Sequence, residues 1–334
     1  MAILENRLTL SVEDLEEHLG ALRLPRYVRE AEDAFLERTH QIAQYIVKNP
    51  QIRVVFVSGP TSSGKTTFAD RLITSLLSEG KTAMRVSLDD YYSTAQLHYD
   101  ATGRPDYESL TTIDTQLACD NIKDLLAGLV TSMPVFDFHK RERADAAVFP
   151  RVQLDSDGLL LVEGLHGLSP EIAGLIPRET WLGIFIMPWG EVVADRRLIE
   201  SQEVRLLRRI IRDVRHRGAH ALATLDYWPM IASSEQNYFP EYLARADFYV
   251  NSLLAYESMV VAPIALADIR SALAQYEQNT LAPSVFLAHA VPVKSYADLP
   301  AALAAARKLV ADLSRVPSAD QRIVPTNSIL NEFL

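Results

Sequence analysis

The chain has 334 residues, 48% of them apolar and 23% charged, with a net charge of −10; this is the profile of a globular protein large enough to bury its own core. Such acidity excludes general nucleic-acid binding, which needs a basic footprint, and no apolar run approaches the ~20 residues that span a bilayer. The single cysteine, Cys119, excludes an intrachain disulfide or a cysteine-based zinc site, and it reads as a small buried apolar residue in a reducing compartment.

The opening MAILENRLTL lacks a basic stretch followed by an apolar one, so no signal peptide is expected and the location is read as cytoplasmic. Ser11 can cap a helix over SVEDLEEHLG, stopped by Gly20. A second helix is predicted from about Tyr27 to Lys48, with Val28, Ala31, Phe35, Ile42 and Ile46 on one face. Asn49-Pro50 ends it. The period then changes. IRVVFV, residues 52–57, is a short β-branched run that suits a strand buried on both faces. A helix follows over 67–78, then strands over 82–88, 158–162, 181–187 and 248–250. Helical patterns lie between them, including 115–129 and 191–214. This alternation predicts an α/β fold, a parallel sheet with helices on both faces. Beyond Pro283 the chain turns richer in Ala and Pro, with one helix over 299–313 and an extended tail.

Between the first strand and its helix lies GPTSSGKT, residues 59–66, which fits the phosphate-binding pattern G-x-x-x-x-G-K-[ST]. Gly59 and Gly64 allow a tight turn that aims successive N–H groups at phosphate oxygens, and the helix start adds its positive end. The expected nucleotide contacts are Gly59, Pro60, Thr61, Ser62, Ser63, Gly64, Lys65, Thr66 and Thr67. Lys65 is expected to reach the β- and γ-phosphates and the Thr66 hydroxyl to sit on Mg²⁺. Ligands of open α/β sheets gather at the carboxyl ends of strands. SLDDYY places Asp89 and Asp90 at one such end and LLLVEG places Glu163 at another. Thr66, Asp89 and Glu163 are the oxygen donors Mg²⁺ prefers, and Asp89 is the expected base toward an acceptor hydroxyl. Arg205, Arg208, Arg209 and Arg212 share one helical face with no acid between Arg205 and Arg212, which predicts a lid over an anionic ligand.

Taken together, VFVSGPTSSGKTTFADRL, SLDDYY, PVFDFHKRER, LLVEGLHGLSPEI, RLLRRIIRDVRHRG and ADFYVNSLLAYE resemble the uridine kinase/phosphoribulokinase family over about residues 50–270. GPTSSGKTTFA and the late VPTNSILNEF look like the kinase portion of bacterial nucleoside kinases that carry a TGS domain, although residues 1–49 are too short and too helical to supply that domain. The resemblance implies a helical N-terminal extension over 1–49, a P-loop kinase domain over 50–275, and a C-terminal helical extension and tail over 276–334. It implies ATP and Mg²⁺ as cofactors and a nucleoside-like small molecule as partner, phosphorylated on its 5′-hydroxyl. Asp89 would be the base, with Tyr91 and Tyr92 completing its segment. Asp106 would hold the ribose hydroxyls. Arg205, Arg208, Arg209, Arg212 and Asp213 would form the lid, Arg208 and Arg212 toward the nucleotide and Arg205 toward the acceptor. The base-reading tyrosine and histidine of uridine and cytidine kinases fall on Phe136 and Arg141. Phe136 can stack but offers no hydrogen bond, so the acceptor base is less defined than the chemistry.

A different acceptor, such as a sugar phosphate, stays open through Arg104, Arg141 and Arg143, and so does a regulatory module without turnover. A GTPase switch would need an N-K-x-D segment, which is absent from the sequence. A homo-oligomer is also open; nucleic-acid and membrane partners are not expected.

Overall fold

The computed structural model describes residues 3–93, 97–137 and 142–334. In chain order the main elements are β1 (Ile3–Leu4), β2 (Leu8–Ser11), α1 (Val12–Glu17), α2 (Arg23–Lys48), β3 (Val54–Ser58), α3 (Lys65–Ser78), β4 (Ala83–Ser87), α4 (Thr115–Leu126), β5 (Leu159–Glu163) and α5 (Pro170–Ala173). There follow β6 (Trp181–Met187), β7 (Gly190–Val193), β8 (Arg197–Glu200), α6 (Ser201–His216), α7 (Ala221–Arg245), β9 (Phe248–Asn251), α8 (Glu257–Glu277) and α9 (Leu299–Leu313).

The main sheet runs β1-β9-β6-β3-β5-β4 and every pairing in it is parallel. Parallel strands buried on both faces read as continuous apolar runs, and all five residues of β3 and of β5 are buried. On one face Phe35, Ile42 and Ile46 of α2 and Phe68, Leu72 and Leu76 of α3 pack over Val55 and Val57. Phe35 and Phe68 meet edge to face, 6.2 Å between ring centres. On the other face α4 and α5 cover Val54, Phe56, Leu160 and Val162. Helices α6, α8 and α9 form a further core with β7 and β8. Among the described residues no helix is long and apolar enough to cross a membrane.

Several expectations change. Ser11 caps α1 as predicted, accepting from the Asp14 N–H at 2.9 Å, but β1 and β2 lie ahead of it, so the first 49 residues are not wholly helical. β1 adds an edge to the main sheet, and β2 pairs with β7. These strands borrow their hydrogen bonds from segments 245 and 182 residues away (Ile3 with Phe248, Leu8 with Gly190), so no local pattern marks them. The helix expected over 191–214 begins only at Ser201, because β7 and β8 form an antiparallel ribbon first. α7 holds Pro229 and Pro240 inside it, residues that ordinarily end a helix.

Candidate active site

The phosphate cradle follows β3 directly. Ser58 is fixed by donating its hydroxyl to the Leu165 carbonyl at 2.6 Å. At Gly59 a Cβ would lie 2.1 Å from the Ile186 carbonyl oxygen, so only glycine fits against β6. Ser62 (φ +58°) and Gly64 (φ +87°) both take left-handed backbone, which turns their N–H groups to the inside of the loop. The chain then enters α3 at Lys65. Ser62 Oγ and Ser63 Oγ are buried without a hydrogen-bond partner among the described residues. Orphaned hydroxyls inside a left-handed loop at a helix start fit a polyphosphate, whose oxygens would satisfy them. The Lys65 ammonium meanwhile donates to the Pro60 carbonyl at 3.0 Å, folding back over its own loop.

β4 and β5 bring the acids to this end of the sheet. Glu163 pairs in register with Ser87. Its Oε1 accepts from Ser87 Oγ at 2.7 Å and from Thr66 Oγ1 at 3.5 Å. Burial, and then the neighbouring Asp89 charge, push the Glu163 carboxyl up to about 7. Asp89 lies just past β4 and is exposed. The surrounding protein raises its carboxyl, Lys65 pulls it down, and Glu108, Arg217 and Arg212 also act on it. Thr66, Asp89 and Glu163 therefore converge on the cradle as a hydroxyl and two carboxylates, an oxygen set that fits Mg²⁺, which keeps several waters of its own. No group of three or more His, Cys, Asp and Glu side chains close enough to hold a metal occurs among the described residues.

The arginine face of α6 differs from the expected open lid. Arg205, Arg208 and Arg209 are buried, and acids neutralise them, from distant elements and, for Arg209, also from Asp213 of α6 itself. Arg205 pairs with Glu235 of α7 at 2.8 Å. Arg208 pairs with Glu257 of α8 at 2.6 Å and touches the Phe333 ring. Arg209 pairs with Asp213 at 3.2 Å and with Glu108 at 3.3 Å. Each also grips the cradle from outside: Arg205 donates to the Thr61 carbonyl, Arg208 to the Ser62 carbonyl and Arg209 to Thr61 Oγ1. Arg208 thus reaches the cradle through its backbone, with its charge committed to Glu257. Arg212 differs. It donates to Thr61 Oγ1 at 3.3 Å, makes no ion pair among the described residues, and is lowered to about 10 by burial and by Arg217 and Arg209.

The acceptor residues divide as well. Tyr91 is wholly buried, its hydroxyl accepting from Asn121 at 3.0 Å, so it is a core residue. Tyr92 is half-buried against the same core, and it is Tyr92 that feels the charges of Asp89 and Glu108. Asp106 is buried, raised by that burial, and accepts from the Glu108 N–H at 2.9 Å. Phe136 is half-buried, donates its N–H to Asp90 at 3.3 Å and lies 5.6 Å from the Tyr92 ring. Arg141 lies outside the described residues.

Three further residues at the site are not expected from the sequence. Glu235 accepts from the Thr61 N–H at 3.0 Å. Glu108 joins Arg209 to the acceptor side. His166 is buried between the Tyr242 hydroxyl at 2.7 Å and the Glu108 carbonyl at 2.9 Å. Burial lowers it to about 4, so it is neutral; Nε2 must donate to the carbonyl and Nδ1 accept from Tyr242. His166 falls within the segment LLVEGLHGLSPEI, whereas Glu108 and Glu235 lie in none of the segments that carry the resemblance.

Known proteins resemble this chain over the stretch that holds these residues. The chain is similar to "Uridine-cytidine kinase C" of Dictyostelium discoideum, 28% identical over 165 residues, which is 49% of this chain and 31% of that protein. It is similar to "Uridine kinase" of Macrococcus caseolyticus, 22% identical over 190 residues, 56% of this chain and 82% of that one. It is also similar to "Inorganic pyrophosphatase TTM2" of Arabidopsis thaliana, 26% identical over 171 residues, 51% of this chain and 21% of that one. The chain thus spans less than a third of two of these relatives and most of the third. The model of the Phosphoribulokinase / Uridine kinase family matches residues 54–257, more than half of the chain and the stretch that holds the cradle, both acids and α6. The chain belongs to the phosphoribulokinase/uridine kinase family.

Proposed function

We propose that the protein transfers the γ-phosphoryl group of ATP to a hydroxyl of a nucleoside-like alcohol, with Asp89 as the base. The observation that carries this reading is the convergence of Lys65, Thr66, Asp89 and Glu163 at one end of the sheet, beside a loop whose serine hydroxyls want partners. Phosphoryl transfer asks a protein mainly for positioning and charge stabilisation. Lys65 would leave Pro60 to meet the phosphates. Asp89, raised above the ordinary carboxylate range, is a better proton acceptor for an alcohol than an unshifted carboxylate. Thr66 and Glu163 would hold Mg²⁺, whose chemistry is to neutralise charge on the transferring phosphate.

An unphosphorylated acceptor is favoured over a sugar phosphate. Arg104 is buried and bound to Asp100 at 3.0 Å and to the Asp226 carbonyl at 2.7 Å. Arg143 pairs with Asp114 at 3.2 Å and donates to the Tyr91 and Tyr92 carbonyls. Both cations are committed within the protein, which leaves less charge for an acceptor phosphate. The test is ADP release from Mg-ATP with uridine, cytidine, purine nucleosides and ribose phosphates in parallel, with the product identified by mass. A nucleoside monophosphate is expected. Turnover with ribose phosphates alone would overturn the acceptor assignment, and no acceptor-dependent ADP release would overturn the kinase reading.

A further inference from the structure

The segment 328–334 lies against the phosphate cradle. Ile329, Leu330 and Phe333 are fully buried, Ile329 and Leu330 in the same core as α2 and α3. Ser328 opens the turn, accepting from the Leu330 N–H and meeting the Tyr256 hydroxyl. The Ile329 side chain fills the space beside Gly64, where a Cβ would be 2.3 Å from its Cδ1. From this anchored turn Glu332 reaches the first turn of α3. Its Oε2 accepts from the Thr67 N–H at 3.3 Å and from Thr67 Oγ1 at 3.0 Å.

Thr67 is the third residue of α3, and its N–H is one of the donors that a helix start leaves without an internal partner. In a loop of this pattern those donors cradle the α- and β-phosphates. A carboxylate and a phosphate ask for the same thing: N–H and O–H donors at the positive end of a helix. One oxygen of Glu332 takes both donors of Thr67 at once, so a phosphate oxygen cannot take them while it stays. Its charge would also lie within a few ångströms of the polyphosphate, where like charges repel strongly.

We propose that Glu332 occupies a phosphate seat of the nucleotide-free protein, and that nucleotide binds by displacing this carboxylate from Thr67. The proposal rests on the cradle being a nucleotide site, as in the reading above. The buried Ile329 and Phe333 anchor the segment, so the step required is a swing of the Glu332 side chain or a small shift of its turn. The segment then acts as an internal competitor: it keeps the cradle formed while empty and sets how much polyphosphate is needed to open it.

The test is calorimetric titration of the full chain with ADP, inorganic triphosphate and adenosine, in the wild type, Glu332→Gln and Glu332→Ala. Glu332→Gln keeps a neutral oxygen for both Thr67 donors, so its fold is preserved; a thermal melt checks both variants. Losing a competing charge-assisted contact is worth about tenfold in affinity, so ADP and triphosphate should bind about tenfold tighter to Glu332→Ala and tighter by a smaller factor to Glu332→Gln, which keeps a weaker neutral contact, with adenosine unchanged. Hydrogen exchange should rise in peptides covering 328–334 when ADP is added to the wild type. Equal or weaker ADP binding by both variants, or protection of 328–334 by ADP, overturns the proposal and makes Glu332 a fixed brace; the kinase reading then survives. If none of the three proteins binds ADP or triphosphate, the nucleotide site fails and the competitor with it.

Discussion

Glu163 stands in a position a protein would not choose for stability, and the cost can be measured. It is almost wholly buried at the end of β5 and beside a second carboxylate. Its ordinary value is 4.5 and the folded protein raises it to about 7. Between those values the folded state holds a proton that the unfolded chain has released, so stability falls as pH rises through this window. The loss is complete above about pH 7 and absent below about pH 4.5. A shift of roughly 2.5 pH units corresponds to about 3 kcal/mol. Gln cannot ionise, yet it can accept from Ser87 and Thr66 as Glu163 does. Glu163→Gln should therefore stabilise the metal-free, nucleotide-free protein by about 2–3 kcal/mol at pH 8 and by much less at pH 5. Urea unfolding followed by far-ultraviolet circular dichroism at both pH values, in chelator, reads this directly. Added Mg²⁺ should narrow the gap at pH 8, because it rewards the carboxylate alone. An equal effect at pH 5 and pH 8, or destabilisation at pH 8, would refute the reasoning.

The remaining predictions concern the cradle and its frame. Lys65→Ala should abolish phosphoryl transfer and leave the fold intact, since the one side-chain hydrogen bond of Lys65 among the described residues is to the Pro60 carbonyl; undiminished turnover would remove the cradle from the mechanism. Asp89→Asn should lower kcat by roughly 10²–10⁴-fold, the usual contribution of a general base, with nucleotide affinity little changed; near-normal kcat would exclude Asp89 as the base. Arg208→Ala should destabilise by about 3–5 kcal/mol, because Glu257 is left buried and unpaired; a stable variant with weakened nucleotide affinity would return Arg208 to the phosphate side. Phe136→Tyr should lower KM for pyrimidine nucleosides if that ring faces the base, and an unchanged substrate panel would place Phe136 elsewhere.

What was legible in the sequence was local. The strand over 181–187 and the helix over 299–313 appear with the bounds expected of them, since an unbroken apolar run and an Ala-rich amphipathic repeat carry their own signal. The cradle was legible for the same reason: its glycines are dictated by backbone geometry within a few residues. Long-range partners left no trace. Residues 191–200 looked helical because Glu191, Val192 and Val193 satisfy a helical spacing as well as a strand one, and only pairing with β2 and β8 decides between them. The two prolines of α7 masked a helix that tertiary packing sustains. Tyr91 and Tyr92 are adjacent and identical, so which is wholly buried depends on a turn that no spacing rule resolves.

The arginines show what such blindness costs a functional reading. Four positive charges on one face, without local acids, looked like a mobile lid. The acids come from α7, α8 and the loop at Glu108, and three of the four arginines are locked between those acids and the main chain or hydroxyl of Thr61 and Ser62. Moving α6 as a lid would break several buried ion pairs at several kcal/mol each. A rigid α6 is therefore a frame that holds the cradle in shape. Arg212 makes no ion pair among the described residues, while Arg217, beyond the last turn of α6, pairs with Asp213 at 3.5 Å and its field also reaches Asp89.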